Sequence, residues 1–246
     1  MHCQPQYDGP VYIWLKNTQR CLLCNEPADT PQPLCQPCEA ELPWLVEHCT
    51  VCALPLALSG LVCGQCLSAP PAFEQVIAPW SYSFPVDSLI TRFKHSANWP
   101  YGRLLGELLG QFVQHRFDEG LPRPAALVPV PLARQRLRAR GFNQAAMLAN
   151  WLSASLQIPS EEHLLQRIHD TTAQQDLSAR ARRQNLRNAF ALTPQATIEG
   201  RHLALVDDVL TTGATAQSLA RLLIDAGASR VDVYCLARTA KPGAAA

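Results

Sequence analysis

No stretch of this chain approaches the roughly 18 consecutive apolar residues that a membrane-spanning helix needs, although 48% of its residues are hydrophobic. Charge of one sign is equally scarce. A formal net charge of +1 predicts neither a nucleic-acid coat nor an acidic tail, so electrostatic binding has to come from local clusters. From Met1 to Arg20 there is no basic start followed by an apolar run, and no small-residue cleavage pattern. A soluble, cytoplasmic protein is the expectation. The 246 residues suffice for one large or two modest domains with a real core.

What is present in excess is cysteine. Ten would suggest disulfides in a small secreted chain, but eight of them fall between Cys21 and Cys66 as four C-x-x-C pairs. The pairs are Cys21/Cys24, Cys35/Cys38, Cys49/Cys52 and Cys63/Cys66, and the second C-x₂-C-x₁₀-C-x₂-C block repeats the first at an offset of 28. Each C-x-x-C turn presents two thiolates on one knuckle, and two knuckles close a tetrahedral Zn²⁺ site. Ten intervening residues make a short hairpin arm, so two zinc ribbons with two structural Zn²⁺ ions are expected. No βαβ pattern surrounds the pairs, which disfavours redox chemistry. Sequential pairing of knuckles is the simpler arrangement, and spacing also permits an interleaved one. His48 borders Cys49, but a complete cysteine set makes it a surface residue. So few apolar residues separate the cysteines that bound metal would supply the folding energy of residues 21–66. Pro70-Pro71 marks the boundary. The expected organisation is an extension (1–20), a double ribbon (21–70), an α/β domain (71–240) and a tail (241–246). Cys235, in an apolar strand, reads as core.

Beyond the boundary, Trp80, Tyr82 and Phe84 alternate as on a strand with one aromatic face. Such a stripe is more often core than a base-stacking platform. A short helix is expected over 88–95, carrying Arg92, Lys94 and His95, and an amphipathic one over 101–117. Strands are expected near 125–130, 164–167, 189–192, 203–206 and 231–236, giving an α/β domain around a mostly parallel sheet.

Leu203-Ala-Leu-Val206 has no polar alternate and reads as a strand buried on both faces. Asp207 and Asp208 follow, then Thr211, Thr212, Gly213, Ala214 and Thr215. From there Ala216, Leu219 and Leu223 keep helical spacing. Strand, small-residue loop and helix start together aim backbone N–H groups and a positive dipole end at an anion. Carboxylates at the mouth of a phosphate cradle would repel it, unless the ligand also brings a diol or a cation. Phosphate plus ribose hydroxyls is the implied ligand. A second anion site is expected after Val128-Pro129-Val130-Pro131, where Arg134, Arg136, Arg138 and Arg140 alternate in what reads as a loop; the bland alternative is a solvated face. Asn143 can cap the following helix. The polar span 168–188, with Arg180, Arg183 and Arg187, reads as a functional loop covering the site. Between Arg134 and Arg187 nine arginines face four carboxylates, a surface for pyrophosphate or for nucleic-acid phosphates.

The residues from Leu203 to Thr215 resemble the phosphoribosyl pyrophosphate fingerprint of type I phosphoribosyltransferases. V-P-V-P, then R-x-x-x-R-G-F-N-Q, with the cysteine ribbons in front and D-D-V-x-T-T-G-A-T behind, is similar to the ComF/GntX family from about Cys21 to Arg238. The resemblance implies a type I phosphoribosyltransferase-like α/β fold behind the zinc ribbons. It implies that Asp207 and Asp208 hold the ribose 2′ and 3′ hydroxyls, that Thr211–Thr215 take the 5′-phosphate with Mg²⁺ as cofactor, and that Pro129–Arg134 cradle pyrophosphate. It also implies a link to DNA uptake in competence or to use of external DNA. No residue identifies an acceptor for the ribosyl group. Two functions therefore stand side by side: a phosphoribosyltransferase-like protein binding a phosphoribosyl ligand, and a non-catalytic adaptor binding single-stranded DNA or a partner such as a DNA-uptake helicase or another competence protein.

Overall fold

The computed structural model describes residues 19–28, 30–96, 98–168 and 189–241. The chain forms two compact units, Met1–Ala40 and Glu41–Ala246. Among the described residues no helix is long and apolar enough to cross a membrane.

The first unit is organised by one knuckle and the helix that supplies the other. Asn25 adopts φ +63, a conformation its short polar side chain tolerates, and its N–H returns to the Cys21 carbonyl at 2.9 Å. Arg20 bridges Pro27, and α1 (Gln36–Ala40) begins one residue after Cys35. Cys21 and Leu34 are its buried centre.

The second unit opens with the same motif. Ala53 takes φ +53, its N–H bonds the Cys49 carbonyl at 2.9 Å, and His48 bridges Pro55. Each of these lies 28 residues beyond its counterpart, so the repeat in the sequence is a repeat of backbone geometry. Helix α2 (Gly64–Ser68) carries Cys66.

The sheet follows. β1 (Val76–Ile77) and β2 (Trp80–Ser81) both pair with β7 (Arg230–Arg238); β7 pairs with β6 (His202–Leu210), and β6 with β3 (Ala126–Pro129), all parallel. The central strands are buried nearly end to end, as their unbroken apolar runs require. On one face lie α4 (Trp99–Asp118) and α6 (Gln144–Leu156), with α3 (Val86–Ser96) packed on α4. The other face, through Leu203, Leu205, Val231, Val233 and Cys235, shares one apolar cluster with α7 (Ala214–Asp225) and with Cys49, Cys52, Cys63 and Cys66. Residues 43–45 close the sheet edge: Leu45 N–H bonds the Pro79 carbonyl and Ser81 N–H the Pro43 carbonyl, each at 2.8 Å.

Four expectations change. Trp80, Tyr82 and Phe84 do not form one aromatic face: Ala78-Pro79 interrupts the strand, Trp80 is fully buried and Phe84 is 79% exposed. β4 (Leu165–Arg167) and β5 (Phe190–Leu192) pair antiparallel in a separate two-stranded ribbon and do not enter the sheet. The arginine run is a helix, α5 (Arg134–Arg140), ended by Gly141 at φ +83, because Arg, Gln, Leu and Ala are all good helix formers. The last concerns the support of the second ribbon, where metal is joined by the sheet: Leu45, Ala53, Leu54 and the four cysteines pack in the sheet's apolar cluster.

Candidate functional site

The eight cysteines gather sequentially. Cys21, Cys24, Cys35 and Cys38 form one group, and Cys49, Cys52, Cys63 and Cys66 the other; within each, the sulfurs all lie within 4.8 Å of one another. Cys24 and Cys35 Sγ are 3.6 Å apart, as are Cys52 and Cys63 Sγ. A tetrahedron of sulfurs at about 2.3 Å from a zinc ion has edges of about 3.8 Å, so both groups fit the metal. Burial disfavours a thiolate at Cys21 and Cys49, but backbone N–H groups of Cys24, Cys35 and Leu23, and of Cys52, Cys63 and Val51, bring them down to about 6 and about 7. Burial and neighbouring sulfurs push Cys38 and Cys66 upward. Four crowded thiols ionise together only around a cation. His48 stands outside the group, its Nδ1 3.0 Å from the Val46 carbonyl.

The second site lies where β3, β6 and β7 end. β6 runs on through Asp207 and Asp208 to Leu210, so the two acids belong to the strand and point to opposite faces. Asp207 sits across from Cys235 of β7, and its Oδ1 accepts the Asp208 N–H at 2.9 Å. Burial, then the Asp208 charge, raises its carboxyl to about 7, against the opposing pull of Lys94. Asp208 faces the other way, where Lys94 of α3 places Nζ 2.9 Å from its Oδ2. That contact is charge to charge: Asp208 Oδ2 is buried and accepts no aligned hydrogen bond, which leaves it acceptor capacity for a cation or a hydroxyl.

Pro129 pairs with Val206, and Val130 N–H bonds the Val206 carbonyl at 2.9 Å, so Pro129–Pro131 lie one register step from the acids. Asn143 has two jobs. Its Oδ1 caps α6 at the Ala145 N–H, and its Nδ2 holds the Val130 carbonyl at 3.1 Å. Of the α5 arginines, Arg134, Arg136 and Arg138 are exposed. Arg140 is half-buried and donates to Gln144 Oε1; burial lowers its guanidinium, against the raising effect of Asp208.

Thr211 and Thr212 are exposed and lead into Gly213, the N-cap of α7 at φ +76. A Cβ on Gly213 would meet nothing within 4 Å, so glycine serves the left-handed turn there and the space before the helix stays open. Ala214 and Thr215 form the first turn, where backbone N–H groups have no intrahelical acceptor.

Among curated proteins the chain is 38% identical over 221 residues to "DNA utilization protein YhgH" of Escherichia coli (strain K12), covering 89% of this chain and 96% of that protein. It is 35% identical over 222 residues, with the same coverages, to "Competence protein F" of Haemophilus influenzae. The chain belongs to the ComF/GntX family. A family model described as "Double zinc ribbon domain" matches residues 18–67 of this ComF/GntX chain, the span that holds both cysteine groups. Among solved structures, a purine phosphoribosyltransferase from Pyrococcus horikoshii aligns with 55% of the chain and 74% of its own length, at 18% identity and a TM-score of 0.37.

Within this ComF/GntX chain, the fold gathers Asp207, Asp208, Pro129–Pro131, Arg140 and Thr211–Thr215 at one sheet end. Arg180, Arg183 and Arg187 lie outside the described residues. The sequence places Lys94 on a short helix but gives it no part in this site. The residue is far from the acids along the chain, and its only local signal is a basic position near a helix end.

Proposed function

We propose that this protein binds a phosphorylated ribose of the phosphoribosyl pyrophosphate class, with Mg²⁺, in the service of DNA uptake or use of external DNA. The reading rests on one juxtaposition. An acidic pair at the end of β6 runs within three residues into a threonine-lined helix N-terminus. Such a mouth takes a phosphate dianion, while carboxylates beside it suit vicinal hydroxyls. Two carboxylates are too few for an all-protein Mg²⁺ cage, but they suit a cation that arrives already held by the ligand's phosphates. Bound there, Mg²⁺ would neutralise the pyrophosphate charge.

Each group then has a role. The two acids hold the ribose hydroxyls, Asp208 directly and Asp207, on the opposite face, through the Asp208 N–H that it accepts, and the Asp208 charge favours a sugar carbon that becomes cationic. Lys94 pairs with Asp208 and is released toward phosphate when the acid is taken by ligand. Val130, pinned by Asn143, and Arg134 and Arg140 line the route for pyrophosphate. The names of the relatives supply the link to DNA use, and the ribbons are the natural docking units for single-stranded DNA or a translocation partner.

Calorimetry tests this. With zinc-replete protein, phosphoribosyl pyrophosphate and Mg²⁺ should give saturable heat, and Asp208→Ala should weaken binding at least tenfold. Absence of heat from any phosphorylated ribose, with salt-sensitive DNA binding that survives Asp208→Ala, would replace this reading with that of a non-catalytic adaptor.

A further inference from the structure

Arg238 is the last residue of β7 and is only 6% exposed. Taking a guanidinium out of water is costly unless its donors are engaged. Its Nε donates to the Cys52 carbonyl at 2.9 Å. Its Nη1 donates to the Leu210 carbonyl at 3.1 Å, to the Thr211 carbonyl, and to the Thr239 carbonyl at 2.8 Å. Cys52 belongs to the second Cys₄ group. Leu210 and Thr211 are the residues at which β6 becomes the threonine loop. One buried cation therefore joins a metal knuckle to that loop.

The consequence follows from the planar trans peptide. The carbonyl of one residue and the N–H of the next point in opposite directions. Holding the Leu210 and Thr211 carbonyls against Arg238 turns the Thr211 and Thr212 N–H groups away from it, out of the shared core. Other contacts reinforce the same link. Ala72 N–H, just beyond the second ribbon, bonds Gln217 Oε1 in the first turn of α7 at 2.7 Å. Val76 N–H bonds the Val51 carbonyl, inside the Cys49–Cys52 knuckle, at 2.8 Å. The four cysteines also pack in one apolar cluster with Leu210, Ala216 and Leu219.

We propose that Arg238 is a positioning residue through which the second Cys₄ site holds the Thr211–Thr215 loop in its anion-binding shape, so that metal at that site and a phosphorylated ribose at the loop bind cooperatively. Coupling of this kind is reciprocal: each ligand tightens the other. The binding half of the statement rests on the function proposed above; the structural half does not.

The experiment separates the two. Full-length, zinc-loaded protein is compared with Arg238→Met, Arg238→Lys, Cys66→Ser and Cys24→Ser, zinc being counted in each. Amide hydrogen exchange is followed at Gln217 and Thr239, whose N–H groups bond the Gly213 and Leu210 carbonyls at the two ends of the loop, and binding of ribose 5-phosphate by calorimetry. Exchange at these two amides should rise at least tenfold in Arg238→Met and Cys66→Ser, with the rest of β6 and β7 still protected. Ribose 5-phosphate affinity should fall at least tenfold in the same two variants. Arg238→Lys, which keeps the charge but reaches fewer carbonyls, should fall between, and it serves where Arg238→Met does not fold. Cys24→Ser, which empties the other site, should change neither readout. Exchange within twofold of the parent in Arg238→Lys and Cys66→Ser would overturn the proposal. A parent that binds no ribose 5-phosphate would overturn the functional reading, and the exchange rates would still decide the coupling.

Discussion

Asp207 and Asp208 are neighbours with different surroundings, because successive strand residues face opposite sides of the sheet. The cation stands on Asp208, where Lys94 Nζ lies 2.9 Å away, whereas Asp207 faces buried Cys235. Its carboxyl is therefore raised to about 7, well above the ordinary unfolded value near 3.9. The sign of the linkage follows. Between about pH 4 and pH 7 the folded state holds a proton that the unfolded state has lost, so this group makes stability fall as pH rises through that window. Asp207→Asn should flatten the decline in melting temperature between pH 5 and pH 7. An unchanged slope in calorimetric melts would count against the assignment. Both acids were legible in the sequence as a motif. Their division of labour was not, since it depends on Lys94 arriving from a helix remote along the chain.

At the scale of elements, the helix that carries Lys94 is set by glycine. Gly102, Gly106 and Gly110 of α4 form a buried stripe. A Cβ on Gly102 would enter the Phe93 ring of α3, one on Gly106 would lie 2.9 Å from Trp151 Cε3, and one on Gly110 would lie 2.7 Å from Ser155 Oγ. Close approach of α3 and α6 to α4 thus requires the absence of side chains. Gly102→Ala should destabilise by about 1–3 kcal/mol through overpacking. It should also loosen Lys94, one residue beyond Phe93. Denaturant unfolding measures the first effect, and a destabilisation under about 0.5 kcal/mol, the range of ordinary surface substitutions, would refute it. The i, i+4 glycine spacing is visible in the sequence, but not what fills the space. Strands β6 and β7 were legible because unbroken apolar runs admit few other readings. Helix α5 was misread because alternation of arginines suggested a loop, although its residues favour a helix.

On the whole-molecule scale, the two ribbons are sequence repeats with unequal structural roles. The first lies in its own compact unit and the second within the unit that holds the sheet. The expectation that metal alone supports residues 21–66 therefore divides. Metal binding contributes folding free energy wherever it completes a site, and at the second ribbon that energy is shared with the sheet through a common apolar cluster. Stepwise chelation, with zinc counted at each step, should leave the main melting transition in place while the first site empties. Emptying the second should lower it by at least about 5 °C, as expected for a loss of a few kcal/mol in a domain of this size. A main transition that stays fixed in metal-free protein would rule out this coupling.

Local chemistry settled in advance the duplicated cysteine knuckles, the buried central strands and the acid-then-threonine loop, because spacing, apolar continuity and turn residues act over a few positions of chain. Contacts between distant segments decided the rest. Lys94 on Asp208, Arg238 between Cys52 and the threonine loop, and the second ribbon against the sheet edge each join residues far apart in the chain. No local pattern specifies such pairs, because it is the packing of the sheet that sets which side chains meet.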